Sequence, residues 1–483
     1  MTSVTSQPDH LKSLPSYVTR ELLAGMVATF ALIPEVIAFS FVAGIDPEVG
    51  LYASFVIGIV IAFSGGRPAM ISAAAGSVAL VAAALVRSHG LSYLLAAGIL
   101  AGLFQIVFGV LRLSILMRFV ARPVRTGFVN ALAILIFSAQ LPQILGANIQ
   151  GLLLIGLGLI IIYGAPRLTR AIPSPLIAIV VLTLMAHFLH LPVKTVSELG
   201  RLPLSLPHWV LPAVPLNWQT LQIILMPALA IAMVGLLESI MTAFVVDDLT
   251  DSSSDKNRES WGLGLANIAA SLFGGIAGCG MIGQTVGNVR YGGRGRLSTF
   301  AAGVFLMVLM LGLRSWVSEI PVAALVAIMV MVSVSTFNWK SFSDVKRQPK
   351  LSIIIMIVTV LVTVLTHNLA AGVIVGVLLS SLFFAFKIAS LIKVQVVDEA
   401  DKRIYQVRGQ VFYASADMFI DAFDMNNIDG RAVTVDLTHA HLWDVTAVEA
   451  FQKVQERFKH HKADLEVIGL NKASSVLIDK LAD

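Results

Sequence analysis

The chain is poor in charge and almost without cysteine. Charged residues make up 13% of its 483 positions, about half of the roughly 25% found in soluble globular proteins. A soluble multidomain protein of that composition is excluded. The single cysteine, Cys279, rules out an intrachain disulfide and a cysteine-based metal site. No nucleophile–base pair and no phosphate-binding loop stands out, which argues against an enzyme and against ATP-driven pumping. The first twenty residues are polar, and the apolar run that follows is long and lacks a small-residue cleavage pattern. It is expected to remain as a membrane span rather than be removed as a signal peptide.

What the chain has instead is apolar residues, 57% of the total, with a mean hydropathy of +0.84. That is the composition of a polytopic membrane protein. Apolar stretches recur near 22–42, 50–65, 76–88, 91–111, 123–144, 150–164 and 174–191. A second set lies near 219–247, 260–277, 283–292, 298–315, 321–337, 351–367 and 370–392. The expectation is fourteen segments in two sets of seven, several of them shorter than the roughly 20 residues of a straight spanning helix.

Charge placement orients them. Arg112, Arg118, Arg122 and Arg125 share one loop, and Arg167 and Arg170 the next alternate one. Arg290, Arg294 and Arg296 form a third cluster, and Lys340, Lys346, Arg347 and Lys350 a fourth. With fourteen crossings all four fall on one side, together with both termini. The opposite loops carry only scattered cations such as Lys194, Arg201 and Arg314. The positive-inside rule therefore predicts cytoplasmic N- and C-termini in a cell inner (plasma) membrane. The expected division is a cytoplasmic N-terminal segment at 1–21, a transmembrane domain at 22–392 and a cytoplasmic domain at 393–483. In the last, strand and helix patterns alternate as βαβαβα, a small α/β domain. His439, His441, His460 and His461 read there as surface histidines, since no cysteine supports a metal site.

Two features interrupt the apolar pattern. The run ALIPEVIAFS places Glu35 beside Pro34, where a charge costs a few kcal/mol at a bilayer centre. Its counterpart, GLLESIMTAF, carries Glu238, with Thr242 one helical turn on. Both sit in the first segment of their set. The third segments, FSGGRPAMISAAAGSVALV and LFGGIAGCGMIGQTVGNVRYGG, each begin with a glycine pair and run through small residues. Paired interrupted segments in corresponding positions mark a transporter's binding site. A helix beginning at the midplane offers unpaired N–H groups and a partial positive charge, so two of them can hold an anion without lysine or arginine. The plainer alternative is two glycine-rich packing helices, which the symmetric placement disfavours.

These strings, with IPEVIAFSFVAGIDPEVGLYAS, GLGLANIAASLFGGIAGCG and VGNVRYGGRGRLS, resemble the sulfate permease (SulP) family, the bacterial relatives of solute carrier family 26, with a C-terminal STAS domain. The resemblance covers essentially the whole chain. It implies a seven-plus-seven inverted repeat of fourteen transmembrane segments, with a core from segments 1–4 and 8–11 and a gate from segments 5–7 and 12–14. It further implies a homodimer, elevator-like movement, and a substrate site between the half-helices at Phe39, Ala75, Gly76, Ser77, Glu238, Thr242, Ile282, Gly283, Gln284 and Thr285.

Many family members carry Ser-Arg-Thr where this chain has Gly283, Gln284 and Thr285, so the fixed positive charge is missing. Sodium-coupled bicarbonate relatives carry an aspartate at the Glu238 position and threonines near Ala75 and Ile282. An arginine-free site with two acids suggests proton coupling through Glu35 and Glu238, because a desolvated carboxyl can take up a proton. The expected function is symport of a proton with a small anion, a fumarate-like dicarboxylate or sulfate. Sodium-coupled bicarbonate transport and an uncoupled exchanger or channel are the alternatives. No cofactor, metal or nucleic acid is expected. In the tail, Asp444, Val445 and Thr446 stand where free-standing STAS proteins carry Asp-Ser-Ser; valine at the phosphoacceptor position excludes phosphorylation there.

Overall fold

The computed structural model describes residues 14–115, 120–168, 174–198, 200–343, 347–399, 402–425 and 432–481. Arg118, Arg170 and Lys346 lie outside them. The chain divides into two compact units, Met1–Val377 and Leu378–Asp483.

Each apolar stretch is a helix. In the first set these are α1 (Leu14–Ala43), α2 (Pro47–Ser64), α3 (Gly76–His89), α4 (Leu91–Val110), α5 (Arg122–Leu145), α6 (Ile149–Leu168) and α7 (Ser174–Phe188). The second set comprises α8 (Trp218–Thr250), α9 (Lys256–Leu272), α10 (Ile282–Arg290), α11 (Arg296–Gly312), α13 (Val322–Thr336), α15 (Lys350–Thr366) and α16 (Leu369–Ala389). Two short helices, α12 (Arg314–Ser318) and α14 (Lys340–Ser343), stand between them. Among the described residues eight helices are long and apolar enough to cross a membrane unaided. α1 begins at Leu14, well before the apolar run, so part of the segment expected to precede the first span is helical.

Before α3 and α10 the chain is extended. The two-residue strands β1 (Ser72–Ala73) and β2 (Cys279–Gly280) pair antiparallel, Ser72 with Gly280 and Ala73 with Cys279. The broken segments therefore meet at this strand pair. Glycine permits the close packing around them: a Cβ on Gly102 of α4 would sit 2.5 Å from the Gly264 carbonyl of α9, and one on Gly264 2.4 Å from the Gly102 carbonyl. Behind the crossing, the buried Asn267 amide donates to Gln105 Oε1 at 2.8 Å, and its oxygen accepts the Gly278 N–H at 2.9 Å.

One face of this unit gathers the cations. Arg67 pairs with Asp247 at 3.1 Å, and Lys256 meets the same carboxylate. Two fully buried acids hold backbone there. Glu21 accepts the N–H groups of Arg294 (2.6 Å), Gly295 and Ser298. Glu259 accepts those of Gly66 at 2.8 Å and Arg67 at 3.0 Å. The opposite face is tied by Asp46 accepting from Arg201 N at 3.1 Å and by the isolated bridge between Thr195 and Pro321.

The second unit contains a four-stranded sheet in the order β3 (Lys393–Asp398), β4 (Lys402–Val411), β5 (Ala432–Leu442), β6 (Asp464–Ile468). β3 and β4 are antiparallel and the later pairs parallel. With α17 (Ala416–Asp421), α18 (Val445–His460) and α19 (Lys472–Leu481) the order is ββαβαβα. This corrects the expected βαβαβα: the first stretch folds into two antiparallel strands, because the charged sequence DEADK interrupts its apolar alternation. Tyr405, Phe419, Phe423 and Phe458 centre its core.

Candidate functional site

Helix starts are where the central site is built. α8, α9 and α18 open on side-chain caps: Asn217 accepts from Thr220 N, Asp255 from Asn257 N and Arg258 N, and Asp444 from Ala447 N. α3 and α10 do not. Their N-cap residues are Ala75 and Met281, and neither supplies a side-chain hydrogen bond. Alanine and long apolar residues are among the poorest N-caps. Among the described residues no side chain caps the first-turn N–H groups of either helix, which leaves them open to a ligand in the adjoining space.

These two helix starts border a cavity of about 300 Å³. Glu35, Phe39, Gly76, Ser77, Glu238, Ile282, Gly283 and Gln284 line it, eight of the residues expected from the sequence. No lysine or arginine is among its described lining residues. Gly76 is required by close approach, since a Cβ there would lie 2.6 Å from the Phe39 ring. Gly283 has nothing within 4 Å of the same position and faces open space.

The two acids are held differently. The Ser77 hydroxyl and the Cys279 thiol both donate to Oε2 of Glu238, the thiol at 3.0 Å. One carboxyl oxygen so joins α8, α3 and β2. Among the described residues, Gln284 on α10 is the polar side chain beside Glu35, and both line the cavity.

Three expected residues lie behind the cavity wall. Ala75 is fully buried as the N-cap of α3. The Thr242 hydroxyl donates to its own helix at Glu238 O (2.7 Å) and to Gly280 O (3.2 Å). The Thr285 hydroxyl accepts from Ile71 N at 2.9 Å. A threonine within a helix readily bonds the i−4 carbonyl, so sharing the face of Glu238 did not bring Thr242 into the site. The far wall is one the sequence did not indicate: Phe128 and Leu132 of α5, Pro175 of α7, and Met331, Val332 and Ser335 of α13. Apolar residues on apolar helices carry no distinguishing signal.

Broken helices meeting at an uncapped cavity within a bundle of apolar helices are the architecture of a multi-pass membrane protein, and the cavity is its candidate ligand site. The sequence profile of the sulfate permease family matches residues 18–153 and 148–359, and that of the STAS domain matches residues 392–482. The chain belongs to the sulfate permease family of anion transporters, with a C-terminal STAS domain, and is not an enzyme. It is 51% identical over 465 residues to "Putative sulfate transporter YbaR" of Bacillus subtilis, covering 96% of this chain and 97% of that one. It is 31% identical over 365 residues to the bicarbonate transporter BicA of Picosynechococcus sp., covering 69% and 63% of the two chains. Among solved structures, the transmembrane domain of a cyanobacterial BicA aligns with a TM-score of 0.66 at 26% identity, covering 75% of this chain and 98% of that one. Murine solute carrier 26 family member A9, an anion transporter in the inward-facing state, aligns with a TM-score of 0.82 at 18% identity, over 97% and 88%. The fold is accordingly that of the solute carrier 26 type.

Proposed function

We propose that this protein is a proton-coupled symporter of a small anion, sulfate or a dicarboxylate, and that Glu35 carries the coupling proton. One observation carries the reading: the cavity offers an anion two uncapped helix starts and, among its described lining residues, no fixed cation, while Glu35 lines the same space and Glu238 is already bonded by Ser77 and Cys279. An ionised Glu35 repels an arriving anion at short range, and its protonation removes that repulsion. Anion and proton therefore favour each other's binding, which is the linkage that symport needs. Ser77, Gly76, Ile282, Gly283 and Gln284 contact the anion in this reading. Phe39 walls the site, Glu238 positions the two helix starts, and Ala75, Thr242 and Thr285 support them.

On the same reading α1–α4 and α8–α11 form the core of a fourteen-span inverted repeat. α5–α7, α13, α15 and α16 form the gate, and the core moves against it like an elevator in a homodimer. Residues 22–392 make up the transport domain, and residues 393–483 form a cytoplasmic STAS domain. The cavity wall drawn from the start of α7 and the end of α13 lies toward the arginine-bearing face, which the charge bias assigns to the cytoplasm of the inner membrane. Sodium coupling finds less support, because a hard cation wants six or so oxygen ligands and the Thr242 hydroxyl is turned to backbone carbonyls.

The test is uptake of labelled sulfate and of labelled fumarate by purified protein in liposomes, with and without an inward proton gradient. Accumulation of either anion that rises with the gradient supports symport; uptake of both that is indifferent to it contradicts the reading.

A further inference from the structure

A second space lies on the same seam of the transport unit. A cleft of about 820 Å³ is walled by Arg112 after α4, Arg125 of α5, Phe244 and Asp247 of α8, and Lys256 of α9. The central cavity is bounded by Met241 of α8 and by Phe128 and Val129 of α5. Met241 to Phe244, and Phe128 to Arg125, are each three residues, about one helical turn. The cleft is thus the next space along the α5–α8 seam from the cavity, on the arginine-bearing side.

Its charges are unequal. The Asp247 carboxylate is already engaged by Arg67 and Lys256, and Lys256 is also held by Ser254 and lies 4.6 Å from the centre of the Phe244 ring. Arg112 and Arg125 are exposed and, among the described residues, have no side-chain hydrogen bond or ion pair. Two guanidinium groups lining one cleft favour an anion between them, and among the described residues the cleft's carboxylate, Asp247, is already paired. The arginine missing from the centre has a counterpart here, outside the site, where it can attract an anion without trapping it.

We propose that this cleft is an anion-capture vestibule, in which Arg112 and Arg125 concentrate the small inorganic or carboxylate substrate before it enters the central cavity. The proposal rests on the transport reading above for the identity of the ligand, but the field it requires can be measured without transport. A cation-lined cleft raises the local concentration and entry rate of anions by roughly 10- to 1000-fold, with a steep dependence on ionic strength.

A cysteine placed in the cavity reports that field. In a Cys279→Ser background, Ser335→Cys puts a lone thiol on the wall of the central cavity. Its modification rates by a negatively charged and a positively charged methanethiosulfonate reagent of similar size are compared in proteoliposomes. Replacing Arg112 and Arg125 together by Gln is expected to lower the anionic-to-cationic rate ratio about tenfold at low salt. The difference is expected to vanish at roughly 1 M salt, where the screening length is about 3 Å. An unchanged ratio at low salt overturns the proposal. A second measurement follows labelled sulfate entering from each face. The double variant is expected to lose severalfold in kcat/KM from the arginine-bearing face and nothing from the other; an equal loss from both faces also overturns it. A shifted reagent ratio in protein that shows no gradient-driven uptake separates the outcomes, since the vestibule then stands while the symport reading fails.

Discussion

The two broken segments reach the same cavity with the same backbone design, yet their carboxyl partners differ. At α3, Ser77 and Cys279 both donate to Glu238, so that acid is part of the scaffold that joins α8 to the crossing strands. At α10, Gln284 lies beside Glu35, and both acids line the cavity. Each acid is approached by a half-helix from the other half of the chain: Ser77 reaches Glu238, and Gln284 reaches Glu35. The number of donors separates the roles. A carboxyl tied to two partners is bound into the scaffold, whereas one beside a single side chain is freer to meet a ligand in the cavity.

Stability should show this asymmetry most strongly. Glu238→Leu orphans the Ser77 hydroxyl and the Cys279 thiol in a buried crossing, and is expected to cost about 3 kcal/mol. Glu35→Leu leaves only Gln284 beside an open cavity, and is expected to cost about 1 kcal/mol or less. Thermal unfolding in detergent compares them; equal losses would remove the distinction between the two acids. The glycines give the next contrast. Gly76→Ala drives a methyl into the Phe39 ring and is expected to cost about 1–3 kcal/mol by overpacking. Gly283→Ala meets open space and should change stability by less than about 0.5 kcal/mol, while substrate affinity falls because the methyl occupies the cavity. Equal melting temperatures for the two alanine variants would contradict the geometry.

Smaller effects follow from single donors. Cys279→Ala and Ser77→Ala each remove one bond to Glu238 and should cost about 1 kcal/mol in the same melting assay. Cys279→Ser, which keeps a donor, should recover most of that loss; no recovery would mean the thiol only fills space. Away from the membrane helices, Asp444→Ala removes an N-cap from α18 and the partner of Tyr413 N. It is expected to cost about 1 kcal/mol, read as faster amide exchange confined to the start of α18, and to leave anion uptake unchanged.

Much of the candidate cavity's lining is legible in the sequence. A glutamate beside a proline in an apolar run, its counterpart in the second set of helices, and two glycine-led segments could each be read from residue type and position. Their physical cost in a membrane is what made them visible. The missing parts had no such cost. Phe128, Leu132 and Met331 are ordinary membrane-helix residues, and only the three-dimensional path of α5 and α13 brings them to the cavity. Thr242 misled for a related reason: helical spacing places a side chain on a face but does not say whether its hydroxyl bonds outward or back to its own helix. Glu21 and Glu259 were silent because each lies near a helix start beside polar residues, where an acid attracts no notice. Their role depends on backbone N–H groups more than 190 residues away. In the tail, the extra strand β3 was not separated from β4 because the two apolar-alternating stretches lie close together in the sequence.

The central claim is that Glu35, and not Glu238, carries the proton. It is tested most directly by Glu35→Gln protein in liposomes, assayed for both proton-gradient-driven accumulation and one-for-one exchange of the same labelled anion. The account predicts that accumulation falls to the level of protein-free liposomes while exchange persists, because the neutral amide mimics the protonated carboxyl but cannot release a proton. Accumulation that still follows the proton gradient in this variant would contradict it.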